Sequence, residues 1–437
     1  MKINLREHIL REKKVALWGI GYLGFTMLMR LQSYGFKADV VDLNSENTRL
    51  FLNREYPSKS QVASWSTRGS VPKLDENKIE VFESPKWIFN DCARIHFICL
   101  PVNYRNQEYN QNLITLAKLF RENCNTEKTL VVFQSASGPG SIERDFIQNL
   151  GPENQNIEVA TAFRTDWSIE TFMGKTSPQI VASNEPLISE ELKDFFSLID
   201  IDIQICKNIR EAELIVNAQN ALEYHISAFF NQLSLSYPKE NISGLNSTII
   251  SSLRLQDCKL GLGFSGVRMS TAVDNLLRET KYLDHISLLR EGGAVHLGTL
   301  YVILDYLKRR NFRKILLLGV QEQGEFNHSP SLFIASSLAQ TDTKVYINDP
   351  DESPAKLDSL IDGVNYASFP NHNIDNLDCI LVFTNHYFYK HLSNQDSEKY
   401  IEGKVSTIID LQNTFGNLSF KQTTYSCLGD GTLNLLT

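Results

Sequence analysis

The chain is 437 residues long, 42% hydrophobic and 22% charged, with a formal net charge of -8. That length exceeds what one hydrophobic core organises and predicts two or three domains. The acidic balance argues against nucleic acid or an anionic membrane as a general partner, no apolar run reaches the roughly 18 residues of a spanning helix, and the start, MKINLREHILREKKVALWG, lacks a cleavable signal pattern, so a cytoplasmic protein is expected.

Val15 to Leu43, VALWGIGYLGFTMLMRLQSYGFKADVVDL, reads as an apolar strand, a glycine turn, an amphipathic helix ending near Gly35 and a second strand. The turn Gly19-Ile20-Gly21-Tyr22-Leu23-Gly24 is a GxGxxG, and Asp42 closes the second strand. Gly19 permits the tight turn, Gly21 lets the backbone approach a pyrophosphate, and Gly24 lets helix pack closely on strand. The helix N-terminus then faces the phosphates, and Asp42 can accept hydrogen bonds from the adenosine ribose. Together these parts point to dinucleotide binding, with Asp42 favouring NAD over NADP.

Strand-like runs follow at Arg94 to Pro101, Thr129 to Gln134, Glu158 to Ala162 and Gln179 to Ser183, with helical segments between. This alternation predicts a parallel, doubly wound sheet to about residue 205, with the strand ends at Pro101 and Ser135 opening onto the cofactor crevice. The turn Ser135-Ala136-Ser137-Gly138-Pro139-Gly140 reads either as a ligand-adjacent loop or as a plain turn. Asn208 to Tyr237 holds neither Gly nor Pro, and its apolar residues Ile209, Ala212, Ile215, Val216, Leu222, Ile226, Phe229, Phe230 and Leu233 recur at helical spacing. A helix of that length runs about 45 Å. It is either an ordinary core helix or one that joins two domains and buries a second stripe against a neighbour or a partner subunit.

Lys259 to Met269, KLGLGFSGVRM, places Gly261, Gly263 and Gly266 within six residues, a backbone bare enough for close approach to a ligand. Helical segments run from Thr271 to Asn311. The last third restarts an α/β pattern, with strands at Arg313 to Gly319, Lys344 to Pro350, Cys379 to Thr384 and Ser406 to Leu411 and a helix in SLFIASSLAQ. The expected architecture is α/β, with two doubly wound Rossmann-like domains, 1–205 and 312–437, joined by a long central helix and a helical dimerisation region, 206–311. The seven cysteines, at 92, 99, 124, 206, 258, 379 and 427, are odd in number and include no CxxC, which predicts neither a metal site nor a disulfide framework.

In this order the pieces resemble the UDP-glucose/GDP-mannose/UDP-N-acetylmannosaminuronate dehydrogenase family over nearly the whole chain. The matching residues are GIGYLG with VVD, CLPVN, SASGPGSIE, Ala212-Glu213 with Asn220 and Asn231, GLGFSG, LLLGVQ, His328 to Pro330, NDP, Thr384 to His386 and IIDL. The resemblance implies an N-terminal NAD domain, a central dimerisation region giving a homodimer, and a C-terminal domain that holds a nucleotide sugar. It implies oxidation of a sugar C6 alcohol to a carboxylate in two NAD-dependent steps, through a thiohemiacetal on a cysteine. For the cofactor it implies Gly19, Ile20, Gly21, Tyr22, Leu23, Gly24, Asp42, Leu100, Pro101, Val102, Ser135 and Ala136. For the substrate, a nucleotide sugar or another phosphorylated small molecule, it implies Arg164, Asn220, Gly263, Phe264, Gly266 and Arg268.

The chain departs from the family pattern at its reactive positions. The family's cysteine falls on Arg268, its paired lysine and aspartate on Thr271 and Ala272, its helix lysine on Val216, and its glutamate on Arg164, with Asp166 nearby. Three substrate-side cations fall on Gln323, Asn327 and Gln412. Arginine forms no thiohemiacetal and keeps its charge in water, so Arg164 and Arg268 in one pocket would bind an anion, with Arg254 or Lys259 as further phosphate contacts. Three functions are weighed. One is a two-electron NAD-dependent oxidoreductase, its catalytic residues unknown, with His225, His296 and Asp274 as candidate bases. Another is an inactive relative serving as a binding or scaffold subunit. The third is a full 6-dehydrogenase that uses Cys258.

Overall fold

The long apolar runs form the inner strands of two separate sheets in a computed structural model of the chain, which describes residues 13–53, 74–89, 93–100, 110–124, 128–152, 155–164, 178–252, 267–280, 286–320, 329–350, 352–371, 374 and 376–435. The chain divides into two compact units, the described residues of Met1–Gln219 with Thr271–Lys281, and those of Asn220–Ser270 with Tyr282–Thr437.

The first unit is built on eight strands: β1 (Lys14–Trp18), β2 (Lys37–Val41), β3 (Ile79–Phe82), β4 (Ile95–Ile98), β5 (Thr129–Phe133), β6 (Ile157–Phe163), β7 (Gln179–Ser183) and β8 (Ile203–Ile205), in the order β3-β2-β1-β4-β5-β6-β7-β8. Pleating sends Val15 and Leu17 into one core and Ala16 and Trp18 into the other, on opposite faces. Helices α1 (Tyr22–Ser33), α2 (Ser45–Leu52), α3 (Gln111–Asn123) and α4 (Pro186–Leu198) follow strands of this sheet. Because both faces are covered, the inner strands read as unbroken apolar runs.

One expectation is corrected here. The sheet is not parallel throughout, because β7 runs antiparallel to β6, with Phe163 opposite Ile180, and β8 is parallel to β7. A parallel β7 needs a crossover of a dozen or more residues over one face, whereas an antiparallel neighbour needs only a return at the end where β6 stops. Four short strands escape the apolar-run criterion altogether: β3 and β8 here, and Val364–Tyr366 and Thr424–Cys427 in the second unit. All are sheet edges with half-exposed patterns.

The second unit carries β9 (Lys314–Leu318), β10 (Lys344–Asn348), β11 (Val364–Tyr366), β12 (Leu377–Val382), β13 (Val405–Asp410) and β14 (Thr424–Cys427), ordered β11-β10-β9-β12-β13-β14 and parallel throughout. Ile315 and Leu317 enter one core and Leu316 and Leu318 the other.

Helix α5 (Ile209–Ser236) confirms the long uninterrupted segment, at roughly 42 Å by helical rise. Its start belongs to the first unit, where Ile209, Ala212 and Val216 join the core beneath the sheet. Its later part belongs to the second, where Phe230 packs on Ile242 of α6 (Ile242–Ser252). Helices α7 (Val267–Glu279) and α8 (Ser287–Arg310) follow, the latter ending on Asn311 in the left-handed conformation. In the single chain Leu222 and Phe229, two turns apart on α5, are exposed by 57% and 53%. None of the described helices is long and apolar enough to cross a membrane.

A titratable group is sealed inside the first unit. His96 on β4 is fully buried among Trp18, Phe89 and Phe120, and the Trp18 indole donates to its Nδ1 at 3.0 Å. Burial pushes its pKa down to about 3, the backbone at Ala93 opposing weakly. The folded value lies below the unfolded one, so this site's stability is present above pH 6.5 and is lost as pH falls from there towards 3. The slope is ~1.4 kcal/mol per pH unit. His96→Gln keeps an acceptor for the indole and removes the titration. Denaturant unfolding should show the wild type losing ~2–3 kcal/mol relative to this variant between pH 6.5 and 4.5. Parallel profiles would show that the imidazole takes up its proton without unfolding.

Candidate functional site

The first unit's strand order reverses between β1 and β4, and the glycine turn sits there, at the carboxyl ends of the strands. Open α/β sheets bind ligands at such switch points. Gly19 has φ +93°, and a Cβ on it would lie 2.9 Å from the Cys99 carbonyl. Its amide donates to the Val41 carbonyl at 2.8 Å. The Ile20 amide donates to Asp42 Oδ2 at 2.8 Å, the Asn44 amide to Oδ1 at 2.8 Å and Asn47 Nδ2 to Oδ2 at 3.1 Å. A carboxylate offers about four acceptor positions, so among the described residues three are occupied and one is left for a ribose hydroxyl.

Gly21 caps α1, and a Cβ there would meet none of the described residues within 4 Å, so among them the space in front of the helix N-terminus is open. Gly24 is the opposite case, where a Cβ would fall 1.8 Å from the Gly19 carbonyl oxygen. Leu23 packs on the core and Tyr22 begins the helix. Leu100 and Ser135 are buried at the ends of β4 and β5, with Ala136 beside them on the core. This arrangement fits a dinucleotide, with bare backbone and helix amides for the pyrophosphate and a carboxylate for the ribose. Pro101 and Val102 lie outside the described residues.

The loop after β5 has a role that its sequence left open between two readings. Its polar groups converge on Glu213 of α5, a fully buried side chain. Ser137 Oγ donates to Glu213 Oε1 at 2.7 Å, the Gly140 amide to Oε2 at 2.5 Å and the Ile142 amide to Oε1 at 3.0 Å. Asn217, one turn on, donates to the Ser137 carbonyl at 2.7 Å and accepts from Asn275 Nδ2 on α7 at 3.0 Å. Sequence reasoning quoted Glu213 only as part of a resemblance. The available signal was a charge and two amides, Glu213, Asn217 and Asn220, on the same helical stripe as Ile209 and Val216.

On the substrate side, Arg164 ends β6 buried in the first unit and donates from Nη1 to Thr26 Oγ1 of α1. Asn220 is buried on α5. Gly263, Phe264 and Gly266, with Cys258, Arg254, Lys259, Asp166, Gln323 and Asn327, lie outside the described residues; Arg268 is placed by its backbone in the first turn of α7. Val216, Thr271 and Ala272 are buried. Of the candidate bases, Asp274 is exposed on α7. His225 has both ring nitrogens at 2.6 Å from main-chain carbonyls, those of Ala221 and Leu288, and His296 Nε2 lies 3.0 Å from the Tyr224 carbonyl. Burial lowers the His296 pKa, against the Tyr224 carbonyl.

The second unit repeats the turn of the first at its own reversal, between β9 and β12. Gly319 has φ +87° and donates to the Asn348 carbonyl at 2.9 Å, and the Val320 amide donates to Asp349 Oδ2 at 2.9 Å. Asp410, at the end of β13, is fully buried and accepts from the Gln412 and Phe415 amides and the Tyr425 hydroxyl. Burial raises its pKa against those donors. Among the described residues no group of three His, Cys, Asp or Glu could hold a metal ion.

Gly21 and Gly24 of the first turn test packing against the proposed binding separately. Gly21→Ala should stay within ~1 kcal/mol of wild-type stability while weakening a dinucleotide by tenfold or more, because its Cβ enters only open space. Gly24→Ala should cost more than ~2 kcal/mol in denaturant unfolding, because backbone must move. Equal losses from both would contradict this division of labour.

Comparison with known proteins places these features. Residues 321–417 match the profile described as the UDP-glucose/GDP-mannose dehydrogenase family, UDP binding domain. No curated protein matches the sequence. Among solved structures, a UDP-glucose dehydrogenase from the hyperthermophilic archaeon Pyrobaculum islandicum is similar, with a TM-score of 0.74 at 16% identity, over 95% of this chain and 97% of that one. The UDP-N-acetyl-mannosamine dehydrogenase of Staphylococcus aureus gives 0.69 at 16%, over 95% and 98%. An NDP-N-acetyl-D-galactosaminuronic acid dehydrogenase from Methanosarcina mazei Go1 gives 0.61 at 17%, over 99% of both. Residues 321–417 are thus similar to the UDP binding domain of the UDP-glucose/GDP-mannose dehydrogenase family, and the chain shares the fold of these solved dehydrogenases.

Proposed function

We propose that the chain binds NAD at the carboxyl ends of β1, β4 and β5 and a nucleotide sugar through its C-terminal domain, and performs one two-electron oxidation or reduction without a thiohemiacetal. The observation that carries this reading is the glycine turn, open in front of Gly21 and backed by an Asp42 carboxylate with one acceptor position left. NAD, when bound, supplies the hydride acceptor. The Gly21 and α1 amides would hold its pyrophosphate and Asp42 its ribose, while the buried ends of β4 and β5 exclude water.

A second reading, a binding or scaffold subunit without turnover, is favoured by the placement of the candidate bases. His225 and His296 already face main-chain carbonyls. The full 6-dehydrogenase reading rests on Cys258 as nucleophile. Calorimetric titration of ligand-stripped protein with NAD, then with nucleotide sugars in its presence, tests the proposal. The expected result is NAD affinity on the order of micromolar and a sugar-dependent change in NADH absorbance. Tight binding with no absorbance change across the panel would favour the scaffold reading, and no NAD binding would remove the cofactor assignment.

The central residues 206–311 serve, in this reading, as the dimerisation region of a cytoplasmic homodimer acting in polysaccharide biosynthesis. The exposed Leu222 and Phe229 on α5 support it. Light scattering should give a dimer, and Leu222→Glu with Phe229→Glu should give a monomer of unchanged helicity. A wild-type monomer at tens of micromolar would overturn the assignment.

A further inference from the structure

The buried carboxylate of Glu213 ties the loop after β5 to helix α5, and the next turn of that helix, through Asn217, bonds Asn275 of helix α7. The two Glu213 oxygens take three hydrogen bonds from Ser137, Gly140 and Ile142, all within six residues of chain. Between Ala136 and Ile142, which are anchored in the core, the loop carries only serines, glycines and Pro139. It includes Gly138, Pro139 and Gly140, the last at φ +91°. Beyond those anchors its conformation rests on hydrogen bonds: the Ser141 amide on the Gly138 carbonyl, Asn217 on the Ser137 carbonyl, and the three donors held by Glu213.

We propose that Glu213 is a positioning residue for the cofactor: ionised, it clamps the loop from Ser135 to Ile142 in the form that borders the crevice, and on protonation it lets that loop go. The inference rests on the NAD reading given above for what the loop borders, but the clamp itself does not depend on it.

The chemistry follows from the acceptor count. An ionised carboxylate only accepts, and all three donors of the loop point at it. Protonation removes the charge and puts a hydrogen among three donors, so the carboxyl keeps fewer and weaker acceptor positions for the loop. The charged groups around it set where this happens. Glu279 on α7 is a like charge that disfavours ionisation, and it is held by Arg144 in a two-pronged contact at 3.0 and 3.1 Å. Arg144 also holds the fully buried Asp145, at 2.9 and 3.0 Å, which in turn accepts from the Asn110 amide at 3.3 Å. On α5 itself, Arg210 lies with its guanidinium 3.7 Å from where a Gly140 Cβ would be. Burial raises the Glu213 pKa to about 7, with the Ser137, Ile142 and Gly140 hydrogen bonds pulling it down and Glu279 adding to the rise.

The test reads the loop directly. Amide hydrogen exchange at Gly140 and Ile142, corrected for the intrinsic pH dependence of exchange, should show protection about tenfold lower at pH 6 than at pH 8. Glu213→Gln should be unprotected at both, because its amide NH2 meets a backbone N–H. Glu279→Gln should move the midpoint to lower pH, and Ser137→Ala, which removes a donor but leaves the carboxyl, should move it higher. If Glu213→Gln does not fold, the opposed shifts of those two variants carry the test. NAD titrated against the same samples should bind about tenfold more weakly to Glu213→Gln and lose its pH dependence. Protection that is independent of pH, or midpoints that do not move in opposite directions, would overturn the clamp. The expected exchange pattern in a protein that does not bind NAD would uphold the clamp and overturn the cofactor reading alone.

Discussion

The hydrogen bond from the Ile20 amide to the Asp42 carboxylate, at 2.8 Å, is the contact on which the N-terminal crevice depends. It ties the end of β1 to the end of β2 where the chain turns into α1, and a bond to a charged acceptor contributes about 1.5–3 kcal/mol. With the Gly19 amide on the Val41 carbonyl, it satisfies two consecutive backbone donors that a glycine turn would otherwise leave bare. Gly24 then lets the helix close down onto the Gly19 carbonyl. The second unit solves the same problem in the same way, with Gly319, Val320 and Asp349 in the corresponding places. Two units with little shared sequence arrive at one solution because the constraint is the same. A parallel strand that ends in a helix must pay for its last N–H groups with an acceptor from the neighbouring strand.

What could be read from the sequence follows burial. The inner strands were legible as apolar runs because both faces of each sheet are covered, and the glycine turn because bare backbone at a fixed spacing has few other uses. The edge strands Ile79–Phe82, Ile203–Ile205, Val364–Tyr366 and Thr424–Cys427 were not, since one side faces solvent and the apolar run breaks. The direction of β7 was invisible for a different reason: the pattern of a strand does not record which way it runs. Glu213 was missed because its meaning lies in three donors some 70 residues earlier. A sequence shows a charge on an apolar stripe but not what satisfies it.

Fold and chemistry are separable in this chain. Similar structures share 16–17% of its residues and nearly all of its architecture. At the positions where the family resemblance calls for a lysine and an aspartate on the helices, Val216 and Ala272 are buried. Placing an apolar side chain where a charge would be buried removes a desolvation cost, so packing alone does not resist such changes. Packing does resist change at Gly24 or Gly319, where the nearest atom to a new Cβ would be 1.8 or 2.0 Å away. The glycine turn is thus protected by its own geometry, while reactive side chains are protected only by the reaction they serve.

The taper of both sheets bears on how copies of this chain can meet. The outermost strands are three or four residues long, and each offers an incoming chain only a few free backbone groups. Strand addition would gain a handful of ladder bonds against the entropy of ordering a new segment, a poor exchange. The helices offer the contrary: side chains such as Leu222, Phe229 and Leu288 standing well out of the surface. A copy meeting this surface would thereby find little for backbone pairing, which is promiscuous in sequence, and more for interlocking side chains, which are not.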